Sequence, residues 1–89
     1  MKAVLFKPGE RGKVIEIENE LTALQKAVGG YIETVTIAPD ACLICNEEGI
    51  LLGLKPQRVW RQRFFGNVLL VGVKGDEFTD APVRLRGTE

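Results

Sequence analysis

The chain from Lys13 to Glu18 alternates strictly, with Ile15 and Ile17 on one side and Glu16 and Glu18 on the other. That two-residue period is the mark of a half-buried strand. Lys2–Lys7 reads as a strand before it. The turn-rich run Pro8-Gly9-Glu10-Arg11-Gly12 predicts a hairpin between them, with a loop of about five residues. At Asn19 the period lengthens. Leu21, Leu24 and Val28, flanked by Ala23 and Ala27, give an apolar stripe at helical spacing and predict a helix over Glu20–Val28. Asn19 is suited to cap it, Glu20 complements its dipole, and Gly29-Gly30 supplies a left-handed stop.

Strand patterns then resume. Tyr31–Ile37 is rich in β-branched residues and is ended by Ala38-Pro39-Asp40. Cys42–Cys45 is a short continuous apolar run. Glu47-Glu48-Gly49 then leads into Ile50-Leu51-Leu52, which predicts a hairpin with Gly49 at positive φ. Lys55–Arg63 shows neither clean period, and Pro56 is placed to open a short helical turn. Asn67–Val73 is the clearest buried strand.

Together these elements predict an α+β fold: a mostly antiparallel sheet of five or six strands with one helix on one face, in ββαβββ order and β-grasp-like. One domain is expected over residues 1–75, with 76–89 as a short polar C-terminal tail that frays.

Charge adds a second pattern. Twelve basic and twelve acidic residues give zero net charge, against the general attraction that drives non-specific nucleic-acid binding. The charges are segregated, however. Ile50–Gly75 has no acid and five bases, whereas Glu10–Glu48 has eight acids and three bases. No apolar stretch is long enough for a membrane span, and the start of the chain lacks a signal-peptide pattern, which places the protein in the cytoplasm.

The chain contains neither histidine nor serine. The common general base and the serine triad are therefore absent, and a non-enzymatic role is expected. Cys42 and Cys45 spell C-x-x-C, but within a strand residues three apart face opposite ways, so both are expected to pack and not to share a metal. No cofactor is expected. Adjacent Glu47 and Glu48 offer acid–base or cation chemistry if Glu16, Glu18 or Glu33 converge on them. Arg58, Arg61 and Arg63 can grip phosphate or carboxylate, and Trp60 between them offers a stacking face or a protein anchor, unless it is core with the arginines lying over it.

Several separated motifs resemble one family. They are Gly29-Gly30-Tyr31-Ile32-Glu33, Cys45-Asn46-Glu47-Glu48-Gly49, Leu52-Gly53-Leu54, Pro56-Gln57-Arg58 and Gly66–Gly72. In this order they resemble the small proteins grouped as domain of unknown function 3846. That family has an asparagine where this chain has Gln57. The resemblance implies an origin in phages, plasmids or conjugative elements of bacteria, and a role against host defence.

The expected function is defence evasion by binding. One route is sequestration of a nucleotide signal in a pocket formed by homo-oligomerisation, and another is direct inhibition of a host defence protein; a separate, enzymatic alternative is metal-dependent nucleotide or phosphodiester hydrolysis at Glu47 and Glu48. The expected binding residues are Asn46, Glu47, Glu48, Gln57, Arg58, Trp60, Arg61 and Arg63.

Overall fold

A computed structural model describes residues 1–87 of the protein. The elements are β1 (Lys2–Phe6), β2 (Lys13–Glu16), α1 (Leu21–Val28), β3 (Ile32–Ala38), β4 (Ala41–Asn46), β5 (Pro56–Val59), β6 (Gln62–Phe65), β7 (Val68–Lys74) and β8 (Glu77–Thr79). A 3-10 turn follows at Val83–Leu85. Six strands form the main sheet, in the order β2-β1-β7-β4-β3, with β8 also paired to β7; β5 and β6 form a separate hairpin. Every pairing is antiparallel. The expected α+β architecture, one helix on a mostly antiparallel sheet, is what the chain adopts.

The two central strands explain themselves. All six residues of β4 and the first five of β7 are buried, so both strands are covered on both faces. One face takes α1, whose Leu24 and Val28 pack with Ala3, Cys42, Ile44, Leu69 and Val71. The other takes the β5–β6 hairpin, whose Val59 and Phe64 pack with Val4, Phe6, Leu43, Cys45, Val68 and Leu70. Leu43, Ile44, Leu69 and Leu70 are fully buried, and each contributes about 1.5–3 kcal/mol of transfer free energy. Cys42 and Cys45 lie on opposite faces, as their spacing predicts.

The helix ends as expected and begins differently. Gly29 adopts φ 85° and donates its amide to the Gln25 carbonyl, closing the last turn. The N-cap is Glu20, with no side-chain cap bond. The Asn19 amide instead donates to the Phe78 carbonyl at 2.8 Å, tying the helix entry to β8.

Three segments depart from the sequence expectations. Glu47–Gly53 is a run of tight turns and not a hairpin into a strand at Ile50–Leu52. After Glu47, whose amide still donates to the Tyr31 carbonyl, the amides of Leu52, Gly53 and Leu54 bond back to the carbonyls of Glu48, Ile50 and Gly49, closing turns in place of a strand. Pro56 opens a strand instead of a helical turn, and the chain reverses at Trp60-Arg61, both with positive φ. The residues after Lys74 are packed and not frayed as far as they are described. β8 pairs with β7, the Ala81 amide donates to the Lys2 carbonyl, and the Arg84 guanidinium grips both oxygens of Asp40. Residues 88 and 89 of the expected tail lie outside the described residues.

Candidate functional site

A cleft of about 430 Å3 opens between β3, β6 and the Glu47–Gly53 turns. Its walls are apolar: Val35, Ile50, Leu51, Phe64 and Phe65. Three acids, Glu33, Glu47 and Glu48, line it as well. Beside it the turns present Ile50, Leu51 and Leu52 to solvent, 71%, 84% and 54% exposed. Three consecutive large aliphatic side chains left in water are unusual for a small soluble domain.

Two residues hold these turns in place. Asn46 is buried; its Nδ2 donates to the Val28 carbonyl at 3.0 Å and its Oδ1 accepts the Glu48 amide at 2.7 Å. Gly49 lies so close to Phe65 that a Cβ there would run into the Phe65 carbonyl oxygen. The glycine serves close approach and not positive φ, a correction to the expectation, since its φ is not in the left-handed region.

The predicted binding residues therefore divide. Glu47 and Glu48 are exposed on the cleft. Asn46 spends its amide inside the fold. So does Gln57, whose Nε2 donates to the carbonyls of Phe6 at 3.0 Å and Gly66 at 2.7 Å, fastening β5 to β1. Trp60 is half-buried and packs on the hairpin-side core, with Nε1 enclosed and, among the described residues, lacking a hydrogen-bond partner. It is not an open stacking platform.

Arg58 and Arg63 pair directly across the hairpin and Arg61 occupies its tip, all three exposed. Among the described residues no carboxylate lies within ion-pair distance of any of them. Arg58 reaches the Arg61 carbonyl only at 3.5 Å, and Arg63 stands 5.6 Å from the centre of the Phe65 ring. Like charges directly opposite across a strand pair are unfavourable, so this face is receptive to an anion.

Of the carboxylates proposed to join Glu47 and Glu48, Glu33 does so. Glu16 lies instead on β2, at the far edge of the sheet, where it bonds Lys2 at 2.7 Å. Among the described residues no three acids or thiols converge as metal ligands. Burial holds the Cys42 thiol above its usual range, and burial together with the charge of Glu33 pushes Cys45 up to about 11. Both are thiols at neutral pH and poor nucleophiles.

Sequence reading missed the apolar walls. Phe64 and Phe65 gave no clear signal, and Ile50–Leu52 resembled a strand. It also missed a second concavity of about 400 Å3 lined by Lys7, Lys26 and Lys55 together with Glu10. These lysines come from separate parts of the chain, and no local motif could have joined them. Three acids thus stand at the cleft and three arginines on the hairpin's outer face, whereas the concavity beside the hairpin's base mixes three lysines with Glu10.

Among the described residues no helix is long and apolar enough to cross a membrane. No curated protein and no solved structure matches this chain. A family model described as domain of unknown function (DUF3846) matches residues 1–87, nearly the full length, and the protein belongs to that family.

Proposed function

We propose that the protein is a non-enzymatic binding module that takes a protein partner at the acidic, apolar-walled cleft, with Ile50, Leu51 and Leu52 as anchors. The observation that carries this reading is their exposure beside the cleft. Burying such side chains against a partner is worth about 1.5–3 kcal/mol each before the costs of association. Glu33, Glu47 and Glu48 at the same place favour a partner with lysine or arginine around an apolar centre. In the setting that the family resemblance implies, a phage or mobile element within a bacterial cytoplasm, that partner is a component of host defence.

The test uses the protein and Leu51→Asp as paired baits in host lysate, followed by sizing of any candidate with purified protein. A partner held by the first and lost by the second is expected. A partner held equally by both removes the anchors from the reading.

A second reading, sequestration of a nucleotide signal, is favoured by the hairpin face. Among the described residues Arg58, Arg61 and Arg63 have no carboxylate partner, and Arg61 occupies a backbone position that glycine or asparagine fills with less strain. Thermal denaturation against a panel of cyclic and ADP-ribose-type nucleotides decides it. A true ligand at a hundredfold excess over Kd stabilises by about 2.7 kcal/mol, and Arg58→Ala with Arg63→Ala should abolish the shift. No shift across the panel removes this reading.

A further inference from the structure

The two edges of the main sheet differ in kind. β2 is four residues long and carries Lys13 and Glu16, so shortness and charge blunt it. β3, at the other edge, runs seven residues, Ile-Glu-Thr-Val-Thr-Ile-Ala, with one charge and a β-branched residue at five positions. Among the described residues its only strand neighbour is β4. A long, β-rich edge with a single charge is a template for another strand.

The hydrogen-bond phase of that edge can be read from two bonds. The Glu47 amide donates to the Tyr31 carbonyl, so Tyr31, Glu33 and Val35 turn their backbone groups toward β4. On the other side of β4, the Val73 amide donates to the Asp40 carbonyl, so the even-numbered residues of β4 face β7 and the odd-numbered ones face β3. Both bonds give the same result. The N–H and C=O groups of Ile32, Thr34 and Thr36 point out of the sheet.

We propose that β3 pairs antiparallel with β3 of a second copy of this chain, joining two six-stranded sheets into one. With Thr34 on the two-fold axis, the outward groups of Ile32, Thr34 and Thr36 meet those of Thr36, Thr34 and Ile32 of the second copy. That register forms about six backbone hydrogen bonds. It also sets Glu33 opposite Val35 of the second copy, and not opposite its own counterpart. The exposed Tyr31 comes beside Ile37 of the second copy, an aromatic–aliphatic cross-strand pair. The strand is thus complementary to itself, and zero net charge leaves no overall repulsion between copies. Glu33 and Val35 line the cleft and sit at the seam, so the second copy borders each cleft.

This inference is independent of the partner reading and is tested on the purified protein alone. Light scattering should give about twice the 9.8 kDa chain mass. Hydrogen exchange in the dimer should protect the amides of Thr34 and Thr36, and dilution to monomer should release them while Glu33 and Val35 stay protected. Thr34→Pro removes one outward amide and no bond to β4, and should return the mass to one chain with the circular dichroism of the fold kept. Should that variant not fold, Thr34→Lys sets two cations on the axis and should do the same. A monomeric wild-type chain overturns the proposal and leaves the edge for a foreign strand. A dimer with Thr34 and Thr36 exchanging freely overturns it as well.

Discussion

The Asn46 side chain lies beneath the end of α1, donating to the Val28 carbonyl while accepting the Glu48 amide. One buried amide thus satisfies a helix C-terminal carbonyl and fixes the first turn of the loop that carries Ile50–Leu52. The approach is close enough that a Cβ on Gly30 would come within 2.9 Å of Asn46 Nδ2.

Asn46→Ala leaves the Val28 carbonyl and the Glu48 amide without their partner. A loss of about 1–3 kcal/mol is expected from urea denaturation, with faster hydrogen exchange at the Glu48 amide. An unchanged midpoint would mean that water replaces the side chain at no cost.

Gly49→Ala and Gly53→Ala separate two roles of glycine in the same loop. At Gly49 the added Cβ meets the Phe65 backbone, and overpacking should cost about 1–3 kcal/mol and shift the cleft wall. At Gly53 there is open space but φ is 69°, so the cost should be the smaller left-handed penalty, about 1 kcal/mol. Paired thermal melts of the two variants check the order.

Arg61→Gly relaxes the tip of the β5–β6 hairpin, where φ is 64°. Stabilisation of about 1 kcal/mol is expected. If the nucleotide reading holds, the same variant binds its ligand more weakly, so stability and affinity should move in opposite directions.

The cysteines make a pH prediction. The raised pKa of Cys45 means that the folded state resists ionisation, whereas an unfolded thiol ionises near about 8.5. Its contribution is whole below that pH and is lost as pH rises toward about 11, so stability should fall across that window. Cys45→Ala should flatten the alkaline limb. In the native protein at neutral pH, thiol reagents should label neither cysteine until denaturant is added.

Asp40 predicts the opposite limb. The Arg84 guanidinium, bonded to both of its oxygens, holds its carboxyl below the usual range. Its contribution is therefore present above the unfolded carboxyl's pKa and is lost as pH falls through the folded one. Asp40→Asn should remove part of the acid dependence and loosen the C-terminal segment, read as faster proteolysis beyond Thr79.

The strand pattern, the helix stripe and the glycine stop at Gly29 were legible because periodicity and backbone freedom are local properties. So was the divergence of Cys42 and Cys45, which follows from the pleat alone. Asn46 and Gln57 stood out as residues, yet their work inside the fold depends on carbonyls of Val28, Phe6 and Gly66 that only folding brings near. The Lys55–Arg63 segment failed to show a period because Val59 and Phe64 pack down while Arg58 and Arg63 face water across a two-residue turn. Its strands are also too short for alternation to emerge.

The sequence by itself determined β1 to β4, β7 and the helix α1, the one-helix α+β class and the segregation of acids from bases along the chain, since these are set by residue order and local backbone preference. Only the tertiary structure decided that the hairpin covers the second face, that Glu33 joins Glu47 and Glu48 at one cleft, and that β3 is left at the edge. Those outcomes depend on which distant surfaces bury one another, and burial is a property of the whole packed chain.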